Sequence, residues 1–328
     1  MTTTPNPNAQ IPFEKLGPAG IRGTLVVLAV MENDTRRDED RLYDKTPRPF
    51  KVLASLGKTH LVAEGLNGNL GPEDGGSYLR IPDNATINRV SSPEGDLEIV
   101  KNSRGEKSLV RFECTATSIS EARRKFLELA LPLLDYLAYL ADCPVVVQSI
   151  KVDDIWNQAQ SLDYISPYRP VVVNPAILEV SYELAPVFAM YREAKNSHSD
   201  FYKFLCYHKI IDGLLGTLRH SVRQRARKQK VELLQQRDVV PDAPDIALAF
   251  RPYIGKSIKS FFDGVMTPQY RNAIAHFITK DGSILNLSSP ANMSRHEDIM
   301  YVSELCVRTL IASHQQLVSQ LQGKANGG

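Results

Sequence analysis

Arg271, Asn272 and His276 are the side chains whose types and spacing best suit a chemical reaction. They lie in the stretch Tyr270-Arg271-Asn272-Ala273-Ile274-Ala275-His276-Phe277, just after Thr267-Pro268. Thr267-Pro268 reads as a helix start, because a Thr oxygen can cap and a Pro at the first helical position forfeits no hydrogen bond. The spacing predicts a short helix from Pro268 to about Thr279, stopped by Asp281-Gly282. At about 100° per residue, Tyr270, Ala273, Ile274, Phe277 and Ile278 share an inward face. Asn272 and His276 then sit one turn apart on the far side, with Arg271 between the two faces. An imidazole so presented can take the proton of a ribose 2′-hydroxyl. A guanidinium can hold the phosphate with two hydrogen bonds and stabilise the charge of a pentacoordinate phosphorane. Asn272 orients the imidazole or bonds the phosphate. The chemistry that such a set would support is RNA cleavage without a metal or cofactor, leaving a 2′,3′-cyclic phosphate.

A second polar group lies upstream. His208 and Asp212 are one helical turn apart, and they read either as a local polar pair or as a bridge to the motif helix, in which Asp212 would hold Arg271. Further on, Arg219, Arg223, Arg225, Arg227, Lys228 and Lys230 form a dense basic run. Arg219, Arg223, Arg227 and Lys230 recur at helical spacing beside an apolar stripe of Leu215, Leu218, Val222 and Ala226. The run is either a solvated helix face or a track for an RNA backbone.

Other signatures fail. Gly57-Lys58-Thr59 resembles the end of a phosphate loop, but Val52 stands where the first glycine belongs. Gly65, Gly68 and Gly71 lack dinucleotide-binding spacing and read as a hairpin region. The four cysteines form no CxxC pair and the seven histidines no ligand set, so no metal is expected.

Those side chains need elements to carry them. The chain has 328 residues, 43% hydrophobic and 23% charged, which is a globular composition long enough for two domains. Its net charge of +2 is unevenly spread. From residue 176 onward 19 Lys and Arg face 14 Asp and Glu, whereas the first 175 residues carry a small acidic excess. The front half reads as strands at Thr24–Val30, His60–Ala63, Ser77–Ile81, Asp96–Lys101, Ser108–Cys114 and Val145–Lys151. Turns at Asn67-Gly68, Asp74-Gly75 and Pro82-Asp83-Asn84 separate them. One helix interrupts, opened by the capping box Ser118-x-x-Glu121 and running to about Leu140. Beyond Pro167, Pro170 and Pro175 the chain reads as helices over about 181–195, 200–236 (interrupted near Gly213–Gly216) and 246–262. A last helix runs from a second capping box, Ser294-x-x-Glu297, to about Leu321. The expected organisation is a disordered 1–19, a β-rich α+β domain over 20–175, a helical domain over 176–322 and a frayed tail over 323–328. Trp156, the only tryptophan, is expected to pack the two domains together. No signal peptide or membrane span is legible, so a cytoplasmic protein without a membrane partner is expected.

Arg271-Asn272-x-x-x-His276, late in an all-helical domain, resembles the Arg-polar-x₃-His signature of HEPN domains. The aromatic-rich stretch from Asp200 to Asp212 is similar to the first long helix of such bundles. The resemblance implies an α+β front domain joined to a HEPN-like bundle. It also implies a homodimer formed through the helical domain, with two motifs meeting in one composite site. His276 would be the base, Arg271 the phosphate ligand and Asn272 the orienting residue. The implied function is an endoribonuclease acting on RNA, of a toxin or defence type. The layout as a whole resembles the methylamine utilisation protein J family, which implies an accessory role in amine metabolism instead. A third expectation is a non-catalytic HEPN-like module that binds nucleotide or RNA, or that serves dimerisation.

Overall fold

The computed structural model describes residues 15–18, 20, 22–31, 35–57, 89–101, 107–142, 144–166, 182–234, 237–276 and 284–325. The chain is mixed α and β and divides into two compact units. One is Met1–Arg169 with Ser288–Pro290, and the other is Pro170–Leu287 with Ala291–Gly328. The expected strands at His60–Ala63 and Ser77–Ile81, their turns, and the proline-marked junction lie outside the described residues.

In the first unit, seven strands among the described residues form one antiparallel sheet. They are β1 (Arg22–Leu28), β2 (Arg48–Gly57), β3 (Arg89–Ser92), β4 (Gly95–Lys101), β5 (Lys107–Ala116), β6 (Val146–Asp154) and β7 (Ala159–Ile165), in the order β1-β7-β6-β2-β5-β4-β3. A short helix α1 (Asp38–Leu42) precedes β2, and α2 (Ile119–Ala141) lies between β5 and β6. Phe50, Val52, Ala54 and Leu56 alternate along β2 into a core shared with Phe112 of β5, Val152 of β6, and Ala122, Phe126 and Ala130 of α2. That period of two faces the central strand toward α2 and leaves Lys51 and Ser55 on the other side.

The start of α2 differs from a reciprocal capping box. Ser118 Oγ accepts from the Glu121 amide as expected, but the Glu121 carboxylate accepts from the Thr117 amide and hydroxyl. A buried ion pair joins Arg48 Nε to Asp154 at 2.7 Å, and Arg48 Nη1 donates to the carbonyls of Asp44, Thr46 and Thr117. Trp156 occupies the turn between β6 and β7.

The second unit is helical. Its helices are α3 (Ala185–Asn196), α4 (Asp200–Gly213), α5 (Arg219–Lys228), α6 (Ile258–Phe261), α7 (Asn272–Ala275) and α8 (Pro290–Ala325). A π segment at Leu214–Leu218 joins α4 to α5, and a longer one at Phe262–Arg271 joins α6 to α7. The expected interruption near Gly213–Gly216 is therefore a local widening within one continuous helix. Leu248–Tyr253 is a 3₁₀ turn, where a longer helix was expected. Helix α8 opens at Pro290, four residues before the Ser294 capping box, and continues through Ala325 into the stretch expected to fray. Phe204, Tyr207, Ile211, Phe261, Met266, Tyr270, Ile299 and Leu310 anchor the core. Glu304 of α8 ties α3 and α4 to it by accepting from the hydroxyls of Tyr191 and Tyr207 and from Lys195.

Candidate active site

The helix that carries Arg271 does not begin at Thr267-Pro268. It begins at Ile258, and Pro268 lies inside it, within the π segment Phe262–Arg271. The wider turn is compatible with the proline. A proline in a regular helix collides with the carbonyl four residues back and lacks the amide that would bond there. Here that position is Gly264, and the segment around the proline adopts the wider i→i+5 bonding of a π helix. The Asn272 amide still donates to the Thr267 carbonyl, five residues back, before α-helical bonding resumes.

Tyr270 is the anchor of the segment. Its side chain is buried, with ring centroids 5.7 Å from Phe204, 6.2 Å from Phe250 and 5.3 Å from His296. Arg295 of α8 stacks over its ring at 4.7 Å and donates to the Gln269 carbonyl. Arg271, one residue on, is half-buried, and its Nη1 donates to Asn272 Oδ1 at 3.1 Å. Asn272 thus orients the guanidinium. Among the described residues no hydrogen bond reaches the His276 ring. The α-helix ends at Ala275, so His276 is the first residue beyond it, exposed and in extended backbone (φ −119°, ψ 122°), its amide bonded to the Asn272 carbonyl. The expected continuation to Thr279, with Phe277 and Ile278 on the inner face, lies outside the described residues.

His208 turns inward. It is 7% exposed, its ring lies 4.4 Å from that of Phe262, and its Nε2 sits 3.0 Å from the Thr267 hydroxyl. Burial pushes its pKa down to about 4, against an upward pull from Asp212 and with a further downward push from Arg271. Both charges therefore lie near enough to act on the ring. Asp212 itself is exposed, and among the described residues it makes no ion pair with Arg271, so the expected bridge is not formed.

The basic run splits by burial. Arg219 is buried, paired with Asp238 and donating to Ser313. It does not belong to a surface track, because its helical position points it between α5 and α8. Arg225 bonds both oxygens of Glu183. Arg223, Arg227, Lys228 and Lys230 remain exposed. The adjacent apolar stripe is as expected: Val222 and Ala226 are buried, and Leu215 and Leu218 pack against the core. Sequence reasoning missed Thr267 as a partner of His208 and Arg295 as a second guanidinium beside the motif. Neither has a spacing signal, because each depends on which helices pack together.

Residues 187–312 match the family model of methylamine utilization protein MauJ. The MauJ-like segment lies in the helical unit and includes His208, Thr267, Arg271, Asn272 and His276. No curated protein and no solved structure matches the chain. Among the described residues no three His, Cys, Asp or Glu side chains converge as a metal site, and no helix is long and apolar enough to cross a membrane.

Proposed function

We propose that the helical unit is a metal-independent endoribonuclease of HEPN type. His276 takes the proton from the 2′-hydroxyl. That oxygen then attacks the adjacent phosphorus, and the P–O5′ bond breaks to give a 2′,3′-cyclic phosphate and a 5′-hydroxyl. The fork of Arg271 binds the non-bridging oxygens as their charge grows. A second copy of the chain supplies the partner motif, whose imidazole protonates the leaving oxygen. The reading is carried by one observation: Arg271, already oriented by Asn272, and an exposed His276 stand at the same end of one helix. The exposed cations Arg223, Arg227, Lys228 and Lys230 suit an RNA backbone. If all four meet phosphates of a single strand, log K falls against log salt with a slope of about −3.

The test is cleavage of labelled RNA by the purified chain in EDTA. Arg271→Ala and His276→Ala should each abolish cleavage while RNA is still retained. Retention of RNA with no cleavage by the unaltered chain would leave a binding module instead. The match to methylamine utilization protein MauJ supports a second reading, an accessory role in amine metabolism. That reading predicts neither cleavage nor retention, and co-purification with amine-oxidising partners.

A further inference from the structure

Phe262 and Thr267 are five residues apart, which is one turn of π helix. His208, on the facing helix α4, touches both ends of that turn. Its ring packs on Phe262 at 4.4 Å and its Nε2 meets the Thr267 hydroxyl at 3.0 Å. Thr267 immediately precedes Pro268, a residue that disfavours regular α-helix at its position. Arg271 is the last residue of the same segment. The direction of its side chain therefore depends on how many residues each turn holds. Closing the π turn to α geometry would rotate Arg271 relative to Phe262.

We propose that the His208–Thr267 hydrogen bond is a positioning contact that locks the π turn Phe262–Thr267 and so sets where the Arg271 guanidinium points. Within the reading of Arg271 as phosphate ligand, His208 and Thr267 become positioning residues for it, not catalytic ones. Two further facts agree with this. His208 is held neutral by burial, so its Nε2 stays a single-proton partner for a hydroxyl through the physiological range. The charge of Arg271 pushes the pKa of that ring in the same downward direction.

The contact is tested on the full chain with Thr267→Val, which keeps the shape and removes the hydroxyl, and with Thr267→Ser, which restores it. The first readout is the Arg271 Nε–Hε resonance in ¹⁵N-labelled protein, assigned by its loss in Arg271→Lys. It should move in Thr267→Val and return in Thr267→Ser. The second readout is RNA cleavage, where Thr267→Val should lower kcat about tenfold with KM little changed, the value of one hydrogen bond. Should Thr267→Val not fold, His208→Gln is scored in the same way. An Arg271 resonance unmoved in the hydroxyl-free variant overturns the proposal, whatever the cleavage result. A resonance that moves in a chain that cleaves no RNA upholds the positioning contact and removes the nuclease.

Discussion

The Arg271 guanidinium donates to Oδ1 of Asn272, its immediate neighbour in the chain, across 3.1 Å. The polar residue of the motif is thereby tied to the arginine and leaves the imidazole free. Asn272→Ala should release the guanidinium and slow single-turnover RNA cleavage by about tenfold, with RNA affinity nearly unchanged. Asn272→Asp keeps the acceptor oxygen and should retain more of the rate. A rate in Asn272→Ala equal to that of the unaltered chain would remove Asn272 from the site.

Arg219 and its exposed neighbours should separate cleanly. The Arg219 and Asp238 side chains are only 4% and 10% exposed. Arg219→Ala removes the buried guanidinium that pairs with Asp238, and urea melts should show a loss of about 3 kcal/mol. Arg223→Ala and Arg227→Ala should change stability by less than about 0.5 kcal/mol. Their effect should fall on RNA affinity and its salt dependence.

Lys230, two residues beyond the end of α5, has a positive φ of 57°. Around it the Val231 amide bonds the Ala226 carbonyl and the Lys230 amide bonds that of Arg227, a double bond pattern that usually employs glycine. Lys230→Gly should therefore stabilise the unit by about 1 kcal/mol, raising the melting temperature. If Lys230 meets a phosphate, the same variant should make the salt slope shallower by about 0.7.

Acid should weaken the helical unit well above the carboxylate range. His208 is held down at about 4, and burial lowers His296 and His314 in the same direction. As pH falls, the unfolded chain takes up these protons first. The stability is full above about pH 6.5 and is lost on the way to 4, on the order of 2 kcal/mol by pH 5 from His208. Urea midpoints at pH 7.5 and 5 should show this fall, and His208→Gln should flatten it. An equal fall in the variant would place the cause elsewhere.

What could be read from the chain alone followed local signals. Ser118 marks the start of α2, and turn residues bracket β4 and β5. The change from period two to helical spacing separates the two units. The strand β2 was missed although Phe50, Val52, Ala54 and Leu56 alternate. Arg48 and Pro49 open it, and Arg48 is buried only because Asp154 arrives from far along the chain. β7 was missed because Ala159 and Ser161, its fully buried residues, carry little apolar signal. In the helical unit the same limit applies. Thr267-Pro268 has the chemistry of a helix start, and only packing against His208 and the core decides that the helix runs through it. Arg219 looks like its exposed neighbours until Asp238 packs against it. Arg271, Asn272 and His276 stand out by type and spacing as candidates, but that Asn272 bonds its own neighbour Arg271 has no sequence signal.

The central claim is attack by a 2′-hydroxyl, and end-group analysis tests it most directly. RNA is incubated with the purified chain in EDTA beside an otherwise identical strand carrying a single 2′-deoxy nucleotide at the cleavage position. The predicted result is a 2′,3′-cyclic phosphate and a 5′-hydroxyl from the all-ribose strand, and no cut at the deoxy position. Intact RNA, fragments ending in a 3′-hydroxyl, or equal cleavage of both strands would contradict it.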